Sequence, residues 1–83
     1  MKPRPDLAIE NADDELIVLD KAAGKVYQLN PSASFVWNCL SDGLAIDEIA
    51  LMLSEAFDVE SETALSDVQA ALAQFEGLAL VVE

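Results

Sequence analysis

Three features of the sequence predict an α+β fold in which a three-stranded antiparallel sheet is followed by three helices. Short runs of strand-forming residues, separated by polar turns, fill the first 30 positions. Apolar residues at three- and four-residue spacing then recur through the remainder. Strands and helices are thus segregated along the chain, which is the order of an α+β domain and not of a parallel βαβ one.

The elements follow in turn. Residues 1–6, with Pro3 and Pro5, read as a flexible arm whose prolines prevent regular pairing, ahead of a domain spanning 7–83. Residues 7–9 and 16–19 read as two strands of a hairpin around the polar segment ENADDE. The next turn, DKAAG, ends in Gly24, which accepts a positive φ, and leads into a third strand, Lys25–Leu29. That strand has a hard stop. Asn30 can cap a helix, and Pro31 suits the first helical position, where its missing N–H has no partner to lose.

Helix one is expected from residue 31 to about residue 40, ending at Gly43 in the left-handed conformation common at helix ends. Helix two spans about 46–57, with Ile46, Ile49, Leu53 and Phe57 on one stripe and Asp47 and Glu48 placed to complement the helix dipole. Helix three runs from roughly residue 62 to residue 76, stops at Gly77 and gives way to the apolar tail LALVV. On a helical wheel its residues Ala64, Leu65, Val68, Ala71, Leu72 and Phe75 cover an arc of about 120°. Such an arc is broad enough for a core face alone, or for a core face with a shallow trough at the small residues Ala64 and Ala71, beside Asp67.

Composition narrows the function. Eighty-three residues make one small domain, and a hydrophobic content of 53% is enough for a compact core. Sixteen acidic residues oppose four basic ones, giving a net charge of −12, and Lys2, Arg4, Lys21 and Lys25 all lie in the first 25 positions. Binding to nucleic acid or to an anionic membrane surface requires Lys and Arg facing phosphates, so both are poor fits. Cationic or neutral-polar partners are favoured. The opening MKPRPDLAIE lacks the apolar run of a signal peptide, no later stretch reaches the length of a membrane span, and Cys39 alone forms no internal disulfide, so a reducing, cytoplasmic setting is expected.

Catalytic chemistry finds little support. Histidine is absent, Cys39 falls in an apolar helix, and no carboxylate pair stands in an acid/base or metal-ligand context, so no enzyme, cofactor or metal is expected. The acidic runs DDE and EAFDVESE lack the spacing of a calcium loop and read as solvated turns. A carrier domain would need an Asp-Ser attachment pair at a helix start, whereas Ser66 and Asp67 stand in the reverse order inside a helix.

The segment LIVLDKAAGKVYQLNPSASFVWNCLSDGLAIDEIA, followed by SDVQAALAQFEGLALV, resembles the PqqD family of peptide-recognition proteins. The resemblance rests on the junction YQLNPSASFVW, on Asp42 and Gly43 with Glu48 and Ile49 following, and on Asp67 and Val68 ahead of Gly77 and Leu78. The wording YQLNPSA is similar to the discrete recognition proteins of lasso-peptide clusters. One position departs from the pattern, Ala45, where relatives often carry Thr or Ser as a cap for helix two.

The resemblance implies a winged-helix-like fold and the role of a recognition element for ribosomally made, modified peptides. In that family the leader of a precursor peptide adds as a further strand to the sheet. Carried onto this sequence, the docking strand is Lys25, Val26, Tyr27, Gln28 and Leu29, and the helix wall is Asp67, Val68, Ala71, Leu72 and Phe75. The implied partners are a precursor leader and a separate maturation enzyme such as a leader peptidase, cyclase or radical enzyme. A winged-helix transcription regulator is the alternative that the same fold permits, but helix three carries no basic residue to meet DNA.

Overall fold

A computed structural model describes all 83 residues. Two short antiparallel sheets and three helices share one core. The strands are β1 (Lys2–Pro3), β2 (Ala8–Ala12), β3 (Glu15–Asp20), β4 (Lys25–Leu29) and β5 (Val81–Val82); the helices are α1 (Pro31–Ser41), α2 (Ile46–Phe57) and α3 (Ser61–Gly77). The main sheet has the order β2-β3-β4, as a meander requires.

Period-two patterning sets its register. Leu16, Val18 and Asp20 of β3 are buried while Glu15, Ile17 and Leu19 are half-buried, so the first set faces the helices. Val18 pairs with Tyr27 and Leu16 with Leu29, which brings the inward residues of two strands together. The β2–β3 hairpin is longer than expected. Ala12 pairs with Glu15, leaving only Asp13 and Asp14 in the turn, and Asp13 takes φ 60°, a conformation that Asp tolerates better than most residues.

The core is a single cluster in which Trp37 and Phe75 meet edge-to-face at 5.1 Å, joining α1 to α3. Phe35 and Phe57 make a second edge-to-face pair at 5.7 Å, joining α1 to α2. Both ends of α1 follow their local chemistry. Asn30 Oδ1 accepts a hydrogen bond from the Ala33 N–H at 2.8 Å, with Pro31 in the first turn. Gly43, at φ 81°, closes the helix with its N–H on the Leu40 carbonyl and the Leu44 N–H on that of Cys39.

One expectation about the fold requires correction. The prolines of the N-terminal arm do not prevent pairing: Lys2 pairs with Val82 and Pro3 with Val81. A two-residue strand at a sheet edge tolerates the lost donor of proline, and Arg4 then anchors the arm. Its guanidinium donates to Asp20 at 3.0 Å, to Asp6 at 2.7 Å and to the Ala79 carbonyl at 2.9 Å. α3 does stop at Gly77, its last helical residue, and the left-handed residue falls two positions later, at Ala79 with φ 58°. The Ala79 and Leu80 N–H groups bond to the Glu76 and Phe75 carbonyls, which sets Leu80 on Phe75 with both fully buried. Burial of that pair fixes the course of the chain beyond the helix.

Candidate functional site

The residues of β4 divide between the core and the open border. Leu29 is buried, Tyr27 is half-buried against the core, and Lys25, Val26 and Gln28 are exposed. Val26 retains 67% of its accessible surface, the highest value among the large apolar side chains exposed in this fold. The Gln28 side chain is fixed across the outer face of the sheet, donating from Nε2 to Glu15 at 2.7 Å. Lys25 makes no ion pair, since both salt bridges of the molecule belong to Arg4.

A buried serine sets the direction of the β4 backbone. Ser34, in the first turns of α1, donates from Oγ to the Leu29 carbonyl at 3.1 Å and accepts from the Leu16 N–H at 2.9 Å. The hydroxyl therefore stands in the ladder between two paired residues, Leu16 and Leu29. Peptide groups alternate in direction along a strand, so Lys25 and Tyr27 also turn theirs toward β3, and Val26 and Gln28 turn theirs outward. No strand of the molecule meets them, because β4 is the last strand of its sheet.

Beyond this border no other strand of the molecule approaches β4. No Cα of β4 comes within 8 Å of a Cα of α3, β1 or β5. The C-terminal tail, which would have been the natural strand to cover β4, pairs with β1 instead. Just past Leu29, around Asn30, lie two adjoining hollows of about 190 and 360 Å³. The smaller lies between the start of α1 and the Asp67, Ala70, Ala71 and Gln74 side of α3. The larger is floored by Leu53, Phe57 and Val59. Asn30, Ser32 and Asp67 border both.

The structure thus brings together only part of the expected helix wall. Asp67 is exposed on the gap, and Ala71, though largely buried, borders it. Val68, Leu72 and Phe75 do not face it; they are core residues, with Val68 and Phe75 completely buried. The physical reason is the thinness of the molecule. With a main sheet of only three strands and just three helices, the apolar stripe of α3 is consumed in covering α1, α2 and the tail. Ala64 is buried as well and contributes no trough.

Residues that the sequence reading passed over complete the wall: Ala70 and Gln74, beside Asn30 and Ser32. Their signal was present in the helical spacing. Asp67, Ala70 and Gln74 stand three and seven residues apart and form a stripe just round the helix from the core face. α3 carries Glu62, Asp67 and Glu76 but no cation.

Other chemically active groups are quiet. Burial, and next the nearby Asp42 carboxylate, push the Cys39 thiol above its ordinary range, so it stays protonated at neutral pH. No three His, Cys, Asp or Glu side chains are grouped to hold a metal ion. No helix is long and apolar enough to cross a membrane.

Comparison with known proteins places this arrangement. The model of the family described as coenzyme PQQ synthesis protein D (PqqD) matches residues 15–81, from the start of β3 into β5. The chain belongs to the PqqD family. Two solved structures share the PqqD-type fold seen here. One, titled "Lasso peptide synthetase B1 complexed with the leader peptide", superposes with a TM-score of 0.88 at 24% identity, over 99% of this chain and 96% of that one. The other, "TbiB1 in Complex with the TbiA(beta) Leader Peptide", gives a TM-score of 0.87 at 24% identity, over 96% of this chain and 93% of that one. Comparison with curated proteins gives no match.

Proposed function

We propose that this PqqD-family chain binds the leader segment of a ribosomally synthesised precursor peptide by strand addition at β4. It then presents the peptide to a separate maturation enzyme, such as a leader peptidase, cyclase or radical enzyme. In this reading the protein is a cytoplasmic, non-catalytic binding partner. The observation that carries it is the unpaired border of β4, with the outward peptide groups of Val26 and Gln28 opening on a gap that no other element fills. Family membership and a fold shared with two leader-peptide complexes support it.

The energetics fit a site of this kind. A guest strand along the five residues of β4 gains four or five main-chain hydrogen bonds, together worth about 2 to 7 kcal/mol net. Ordering a flexible peptide costs on the order of 2 to 5 kcal/mol. The ladder alone therefore comes close to break-even, and useful affinity requires apolar burial in addition. Burying about 100 Å² of a side chain adds roughly 2.5 kcal/mol, and the hollows at the Leu29 end of the gap are the places available for it.

The test uses proline at the outward positions. Val26→Pro and Gln28→Pro each remove an N–H that has no partner in the free protein, so the fold is spared while the docking ladder loses a donor. Fluorescence anisotropy with a labelled leader-type peptide that binds the wild type should show binding weakened by at least about tenfold in either variant. Equal affinity in wild type and both variants would count decisively against β4 as the docking strand.

A further inference from the structure

We infer that the leader carries a basic residue next to an apolar one just beyond its docked strand, and that Asp67 selects for the basic residue while the Leu53–Phe57–Val59 hollow receives its apolar neighbour. The inference rests on the strand-addition reading and extends it from backbone pairing to side-chain choice.

Three observations converge at one end of the gap. Asn30 follows directly after β4 and borders both hollows, which puts them within reach of a guest strand extended past Leu29. The larger hollow, at about 360 Å³, has room for a large aliphatic or aromatic side chain, and Phe57 on its floor is still 39% exposed. An aromatic ring held edge-on by Phe35 yet left open on one side gains by being covered. Asp67 stands on the rim between the hollows with no ion pair of its own. No cation occurs anywhere from Val26 to Glu83, so none within this stretch can neutralise it.

An acidic leader residue at this place would meet a like charge that no nearby cation of this stretch offsets, whereas a Lys or Arg would pair with Asp67 and lay its methylene stem along the Ala70 and Ala71 side of α3. The main-chain ladder is blind to sequence, so discrimination among precursors falls to such contacts. Asp67 is therefore a specificity-determining residue, not the source of most of the affinity.

Selection from a displayed library of random 16-residue peptides tests this without knowledge of the natural precursor. Wild type should enrich peptides with a strand-forming run followed or preceded by paired apolar and basic residues. Asp67→Lys should enrich the same run with Asp or Glu in place of the basic residue. For one selected peptide, exchanging its basic residue for Gln should weaken binding to wild type by about two- to fivefold, as expected of an exposed pair, and leave binding to Asp67→Asn unchanged. That difference should shrink in 0.5 M salt. Identical charge preferences in wild type and Asp67→Lys would overturn the role of Asp67 while leaving strand addition intact. If selected peptides bound Gln28→Pro as well as wild type, strand addition at β4 would fall; no enrichment at all would remove both.

Discussion

Ser34 shows how much a single side chain can decide. A serine inside a helix ordinarily turns to solvent or to its own backbone, but here it is buried and bridges two strands, with bonds of 2.9 and 3.1 Å to Leu16 and Leu29. It fixes the end of β4 nearest the two hollows. Ser34→Ala would leave the Leu16 N–H buried without a partner, and the variant should lose about 1 to 3 kcal/mol of stability. Urea denaturation should show a lower midpoint at an unchanged slope. Ser34→Thr is no substitute, because the added methyl group enters a packed core. Asp67 teaches the complementary lesson: its charge was evident in the sequence, but its placement on the rim of two hollows depends on the turn of α3.

At the scale of elements, ends matter more than interiors. α2 begins at Ala45 without a side-chain cap, and the Glu48 carboxylate supplies half of the usual reciprocal pair by accepting from the Ala45 N–H at 3.0 Å. Two residues beyond the end of α3 at Gly77, Ala79 stands in the left-handed region at φ 58°. An alanine there costs about 1 to 2 kcal/mol relative to the ordinary region. Glycine escapes that strain but loses more chain entropy on folding, about 0.5 to 1 kcal/mol. Ala79→Gly should therefore raise stability by roughly 0.5 kcal/mol, read as a small upward shift of the melting temperature. A fall would mean that Leu80 and Phe75 do not hold the turn in this phase.

At the scale of the whole molecule, the N-terminal strap joins sequence extremes. Arg4 reaches Asp20, the end of the central strand, and the Ala79 carbonyl, just beyond α3. By pairing β5 with β1, the fold keeps its C-terminal strand away from β4 and leaves that border free. Arg4→Ala strips the nearly buried Asp20 carboxylate of its cation and should lower the midpoint of urea denaturation. The pH dependence has a definite sign. Arg4 holds the Asp6 carboxyl below its ordinary value of 3.8. A folded-state value below the unfolded one means that this contribution is complete above pH 3.8 and disappears as pH falls through the lowered value. The stability gap between wild type and Arg4→Ala should accordingly narrow on acidification below that point, in denaturation curves taken across the pH range.

Local chemistry alone was sufficient for much of this protein. Period-two and period-3.6 patterning located β3, β4 and all three helices, because burial on one face imposes those periods. Asn30, Pro31 and Gly43 marked both ends of α1, since capping depends on neighbours within a turn. The separation of wall from core on α3 was decided only in three dimensions. Val68, Leu72 and Phe75 belong to one broad stripe in sequence, and which part of a stripe is left over depends on how much surface α1, α2 and the tail cover. The same holds for β1 and β5, two-residue strands too short to have a pattern, and for Ser34 and Asp20, whose partners lie 18 and 16 residues away. A contact between distant segments leaves no period in the sequence, because neither segment alone carries the energy that makes it.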